Sequence, residues 1–171
     1  MKYLIASDLH GSISAYEKLK ELADEHCPDK IILLGDLCGG DVGDINNQLR
    51  KIYYPIIAVY GNCDNISAFN CLELGNKGKE YTETLDKKTL FFTHGNQYGK
   101  VIPPILGEGD AIFYGHYHYP EISVKNGVVR VCVGSLARPA FSSQKTYCLL
   151  TDHIISIIDS ESGNTVTEVR F

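Results

Sequence analysis

The chain has 171 residues, 44% of them hydrophobic and 22% charged, and a formal net charge of −5. That length suits one domain over residues 1–171 with a core of its own, and the composition excludes a disordered, fibrous or membrane-spanning chain. The acidic balance argues against a broad basic face for nucleic acid, yet leaves phosphate substrates open, because bound divalent cations make a pocket locally positive whatever the overall charge.

Taken in chain order, Lys2–Ser7 is a short apolar run that ends in a polar loop, as a buried strand does. Ser12–His26 carries a helical stripe of Ala15, Leu19, Leu22 and Ala23, with Ser14 and Glu17 placed as a capping box and Pro28 just beyond. Lys30–Leu34 and Pro55–Tyr60 read as two more buried strands. Between them lie a Gly/Asp/Asn-rich loop over Cys38–Asn47 and a helix over Ile45–Tyr53. This β-α-β-α-β order predicts parallel strands with helical crossovers.

The texture then changes. Glu80–Leu85 and Thr89–Thr93 form a hairpin around Asp86-Lys87, Val101–Leu106 reads as a short helix, and Ala111–Tyr114 as a buried strand. Ile122–Lys125 and Val128–Val133 flank Asn126-Gly127, a strong hairpin signal. Thr146–Leu150, His153–Ile158 and Thr165–Arg170 complete a β-rich end, with Ser162-Gly163-Asn164 as the last turn. The pattern predicts two sheets packed face to face, with helices on the outer faces. An apolar edge strand such as His153–Ile158 would offer a route to a homo-oligomer.

The six cysteines include no C-x-x-C pair, and most read as small core residues in a chain whose thiols stay reduced. The N-terminal apolar run is too short for a signal peptide, so a cytoplasmic protein without membrane contact is expected.

The chemistry gathers where apolar strands end. The segments are Asp8-Leu9-His10-Gly11, Gly35-Asp36-Leu37, Gly61-Asn62-Cys63-Asp64, Thr93-His94-Gly95 and Gly115-His116-Tyr117-His118. Ligand sites of open α/β sheets lie at the carboxyl ends of the strands, so these five segments can meet. They would bring together Asp8, His10, Asp36, Asn62, His94, His116 and His118, a set of carboxylate, imidazole and amide donors suited to divalent manganese, iron, zinc or nickel. Each segment alone is unremarkable, since Gly-Asp is common in turns and a lone histidine is usually structural. Their conjunction, in order and at strand ends, is the signal. His26 and His153 receive no role.

These segments resemble the signature of the calcineurin-like metallophosphoesterases: D-x-H, G-D, G-N-[HC]-[DE], a histidine, then G-H-x-H. Ser7-Asp8-Leu9-His10-Gly11, Gly61-Asn62-Cys63-Asp64, Thr93-His94-Gly95 and Gly134-Ser135 resemble its small YfcE-like phosphodiesterase branch. The resemblance implies a four-layer α/β/β/α sandwich and a binuclear centre. Asp8, His10 and His118 would bind one ion, Asn62, His94 and His116 the other, and Asp36 would bridge them. Asp36, Asn62 and His94 are the catalytic assignments.

The implied reaction is hydrolysis of a small phosphodiester by a metal-bridging hydroxide, with two ions roughly 3.5–4 Å apart clamping an in-line displacement. Manganese suits the mixed ligands first, with iron, nickel or zinc as alternatives. A phosphomonoesterase on the same ions, and a non-catalytic scaffold like the retromer subunit, are the competing readings. Cys63 departs from the histidine of many larger family members; it either packs or touches the substrate's leaving group. Arg138 and Lys145 are candidate phosphate contacts.

Overall fold

The computed structural model describes residues 1–171. Three parallel strands, β1 (Lys2–Ala6), β2 (Lys30–Leu34) and β3 (Ile56–Val59), alternate with helices α1 (Ile13–His26) and α2 (Val42–Leu49). A short helix α3 (Ile66–Asn70) and a two-residue strand β4 (Gly75–Asn76) follow. Then come β5 (Glu80–Leu85), β6 (Lys88–Thr93), β7 (Ala111–Tyr114), β8 (Pro120–Lys125), β9 (Val128–Val133), β10 (Thr146–Thr151), β11 (Ile154–Asp159) and β12 (Thr165–Arg170). They form a seven-stranded sheet, β12-β11-β10-β1-β2-β3-β4, and a five-stranded sheet, β5-β6-β7-β9-β8. Both are mixed: β1 to β4 run parallel in one, and β6, β7 and β9 in the other.

The period-2 alternation of a strand sorts its side chains into two cores. Leu4, Ala6, Ile31 and Leu33 join Tyr16, Leu19, Leu22, Ile45 and Leu49 on the helical face. Tyr3, Ile5, Ile32 and Leu34 face the other sheet and meet Leu90, Phe92, Phe113 and Val131. Strands buried on both faces explain the continuous apolar runs of the sequence. A smaller cluster, Phe91, Ile112, Tyr114, Val128 and Cys132, lies on the outer face of the five-stranded sheet under Tyr98, Ile102, Leu106 and Tyr117. The result is the expected α/β sandwich of two mixed sheets, with the helices on the outer face of the seven-stranded one. No helix is long and apolar enough to cross a membrane.

Several local readings are corrected. The α1 cap is Ser12, whose side chain accepts from the Ala15 N–H at 3.4 Å, rather than Ser14. Helix α2 begins at Val42, inside the expected loop, because the Asp41 carboxylate caps it by accepting from Asp44 N–H at 3.0 Å. It ends at Leu49 rather than Tyr53. Val101–Leu106 forms no helix: Pro103 and Pro104 lack backbone donors, and irregular chain covers that face instead. The strand read at His153–Ile158 is not an edge; β11 lies between β10 and β12. Cys27, Cys63 and Cys71 are exposed, Cys38, Cys132 and Cys148 buried, and all six are free.

Phe92 stacks on Phe113 at 5.1 Å between ring centroids and on Tyr81 at 5.9 Å. Phe92→Ala empties the centre of the inter-sheet core and is expected to cost about 3–5 kcal/mol, measured by urea unfolding.

Candidate metal centre

The parallel strands put the chemistry in one place. Asp8 and Asp36 stand two residues beyond the ends of β1 and β2, Asn62 three beyond β3, His94 directly after β6, and His116 and His118 shortly after β7. The pairing of β1 with β2 continues past the strands: Asp8 N–H donates to Gly35 C=O at 3.1 Å, His10 N–H to Asp36 C=O at 2.8 Å, and Gly11 N–H to Leu37 C=O at 2.9 Å. The pairing of β6 with β7 continues likewise, with Gly115 N–H donating to His94 C=O at 2.9 Å, and the two sheets meet where His116 N–H donates to Asp8 Oδ2 at 3.0 Å. A Cβ at Gly115 would collide with the Ser7 hydroxyl and the Asp8 carboxylate, so only glycine admits this approach.

Asp8, His10, Asp36, His116 and His118 all have φ between +47° and +68°. The left-handed region costs an L-residue about 1 kcal/mol or more, so the surrounding frame must enforce it. The frame is visible. The Asp64 carboxylate accepts from Leu37 N–H and Cys38 N–H through Oδ1, both at 2.8 Å, and from Gly61 N–H through Oδ2 at 2.8 Å. It therefore ties the Asp36 loop to the Asn62 loop. The buried Ser135 hydroxyl donates to Asp8 C=O at 2.8 Å and accepts from Arg138 N–H at 2.8 Å. Arg138 C=O in turn accepts from His118 Nδ1 at 2.7 Å.

The inner groups turn their electron-pair donor atoms toward one another. A carbonyl only accepts, so His118 donates Nδ1–H to Arg138 and His94 donates Nδ1–H to Leu34 C=O at 2.8 Å. In the neutral rings this leaves both Nε2 lone pairs facing inward. His94 Nε2 is 3.0 Å from Asn62 Oδ1 and 3.4 Å from Asp36 Oδ2. His118 Nε2 is 3.2 Å from His10 Nε2 and 3.1 Å from Asp8 Oδ1. That Asp8 oxygen is buried and makes no hydrogen bond. An orphaned buried carboxylate oxygen among imidazole lone pairs is costly unless a cation occupies the gap.

The residues thus fit divalent metal. Asp8, His10, Asp36 and His118 place one ligand atom each within 4.8 Å of one another. His94 approaches Asp36 as well, with Asn62 Oδ1 3.0 Å from its Nε2 and the His116 ring 5.1 Å from its ring. Burial lowers the pKa of His10 and His116, which favours the neutral, ligating form, whereas the Asp8 carboxylate raises that of His118, and at His94 burial is outweighed by the Asp36 and Asp8 carboxylates, which raise it. Burial alone would raise that of Asp36, but His94 and the Cys63 N–H hold it well below the usual carboxylate range.

Cys63 is exposed at this site rather than packed, with its N–H on Asp36 Oδ1 at 2.9 Å and its Sγ 3.4 Å from Asn62 Nδ2. The Asp36 carboxylate beside it, together with partial burial, pushes the thiol up to about 11. Arg138 is exposed and serves the site through its backbone. Lys145 lies 3.9 Å from Glu161 and lines a separate cavity with Lys18 and Glu17, not the ligand cluster. Asp64 and Ser135 acquired no role from the sequence, although Asp64 stands in the G-N-C-D segment and Ser135 in G-S.

Residues 1–153 match the Calcineurin-like phosphoesterase superfamily domain. The chain is 27% identical to Phosphodiesterase YfcE of Escherichia coli strain K12, over 99% of this chain and 97% of that protein. The solved structure of that phosphoesterase from E. coli superposes with a TM-score of 0.87 at 28% identity, covering 99% of each chain. Two more distant structures share the fold. An archaeal phosphodiesterase gives a TM-score of 0.66 at 20% identity over the whole of both chains. Vps29 of Entamoeba histolytica, complexed with zinc, gives 0.65 at 18% identity over 99% of both chains.

Asp64→Asn and Ser135→Ala leave every inner side chain intact but loosen its support. Each is expected to weaken manganese binding by about 10–100-fold in isothermal titration, with the far-UV circular dichroism retained.

Proposed function

The chain belongs to the calcineurin-like phosphoesterase superfamily, and on that footing we propose that it hydrolyses a small phosphodiester at a pair of divalent cations. The observation that carries this reading is the buried, unpartnered Asp8 oxygen, set among the inward Nε2 atoms of His10 and His118. Asp8, His10 and His118 would hold one ion, Asn62, His94 and His116 the second, with Asp36 between them. Bound there, the ions would supply a water acidic enough to ionise near neutral pH and positive charge for the phosphoryl oxygens.

The protein's own groups do the positioning. Leu34 C=O and Arg138 C=O fix the tautomers of His94 and His118 and aim their lone pairs. Asn62 contributes a neutral oxygen, which adds no negative charge beside an anionic substrate. Asp36 is held by Cys63 N–H and lies 3.4 Å from His94, so it stays ionised and in place.

Manganese is the proposed working ion, since it accepts this mixture of oxygen and nitrogen ligands, with iron, nickel and zinc as competitors. Six free thiols suit a reducing compartment, and the cytoplasm is the proposed location. The diester is preferred over a monoester because the E. coli relative that matches over nearly its full length is a phosphodiesterase. Likeness to Vps29 concerns the fold alone; against a purely structural role stand the seven donor side chains held at one edge.

The manganese-loaded protein is expected to cleave bis-p-nitrophenyl phosphate faster than p-nitrophenyl phosphate, followed by absorbance of the released phenolate. Chelation should abolish turnover and added manganese restore it. Asp36→Ala and His94→Ala should each lose about a hundredfold or more, or some 2.7 kcal/mol of transition-state stabilisation. Absence of turnover with manganese, iron, nickel and zinc alike would reject the proposal.

A further inference from the structure

A cavity of about 280 Å³ opens beside Asn62. Residues flanking two ligand loops bound it: Tyr60 and Asn62 on one side, Asn96, Gln97 and Tyr98 on the other, with Lys79 between them. Some such polar groups in the chain are spent on the fold. Asn46, for example, bonds both Cys71 C=O and Glu73 N–H, and Asn65 caps α3. Here they are not. The side chains of Lys79, Asn96 and Gln97 are exposed and, like the Tyr60 and Tyr98 hydroxyls, make no hydrogen bond or ion pair within the chain.

The two rings are braced from behind. Tyr60 meets the buried Phe69 edge-on at 5.8 Å, and Tyr98 meets the buried Phe91 edge-on at 5.7 Å. The cavity therefore has firm aromatic walls and unspent polar groups, next to a side chain that faces the ligand cluster.

We propose that this cavity seats the nucleoside of a nucleotide phosphodiester, a substrate class that rests on the phosphodiesterase reading above. Two carboxamides offer adjacent donors and acceptors, which complement the hydrogen-bonding edge of a nucleobase. Phenol faces receive a flat ring by stacking, and this is tolerant of which base it is. The Lys79 ammonium can meet a sugar or further phosphate oxygen. Only 3 of the 11 lining residues are hydrophobic, which disfavours the acyl chain of a lipid. Asn62 stands at the cavity wall and against His94, so a phosphorus bound at the ligand cluster would direct one of its ester groups into this space.

The test compares two chromogenic diesters with the same leaving group on the manganese-loaded protein: the p-nitrophenyl ester of thymidine monophosphate, and methyl p-nitrophenyl phosphate. The nucleoside diester is expected to be favoured in kcat/KM by about tenfold or more. Asn96→Ala and Tyr98→Ala should each shrink that ratio by about fivefold or more. A second readout needs no turnover: adenosine monophosphate, titrated calorimetrically, should bind wild-type protein more tightly than Asn96→Ala by a similar factor. A ratio near one, equal losses on both diesters, a preference for glycerophosphocholine over the nucleoside diester, or adenosine monophosphate affinity indifferent to Asn96→Ala would each overturn the inference and leave the hydrolase reading standing. Should neither diester turn over with any ion, the hydrolase reading falls, and the nucleotide titration still decides whether the cavity takes a nucleoside.

Discussion

The structure depends on one electrostatic constraint: carboxylate, amide and imidazole donor atoms crowd a small volume where the two sheets meet. Asp8 Oδ1 has no partner, Asp36 lies between His10 and His94, and the inward ring nitrogens of His10 and His118 are 3.2 Å apart. Such an arrangement is repulsive by itself. It persists because each donor is pinned from outside: His94 by Leu34 C=O, His118 by Arg138 C=O, Asp36 by Cys63 N–H and Asp8 by His116 N–H. The fold supplies those pins by bringing β1, β2 and β3 of one sheet to the same edge as β6, β7 and β9 of the other.

Much of this was legible in the chain. The seven donors announce themselves because each follows an apolar run, and a strand's end is where its next side chain leaves the core. The two-sheet arrangement follows from strands apolar on both faces. Thr165–Arg170 was readable to the residue because alternation and the Ser162-Gly163-Asn164 turn agree there.

What stayed hidden depends on partners distant along the chain. Asp64 looks like any turn aspartate until Leu37, Cys38 and Gly61 present their N–H groups to it. Ser135 is an ordinary serine until Asp8 and Arg138 close on its hydroxyl. The start of α2 was misplaced because its polar composition resembles a loop, and only the Asp41 cap distinguishes them. The interior place of β11 is a matter of topology, and hydrophobicity alone does not distinguish a covered strand from a rim.

Five of the donors occupy left-handed backbone, and that posture is imposed by Asp64, Ser135 and the continued β1–β2 ladder rather than by the donors themselves. Asparagine tolerates the same posture better than most residues do. A lineage could therefore trade Asp8 for asparagine and lose the charge while keeping an oxygen to accept from His116 N–H. The cradle is heritable separately from the cation, which gives evolution a short road from a hydrolytic ancestor to an inert descendant with an unchanged outline.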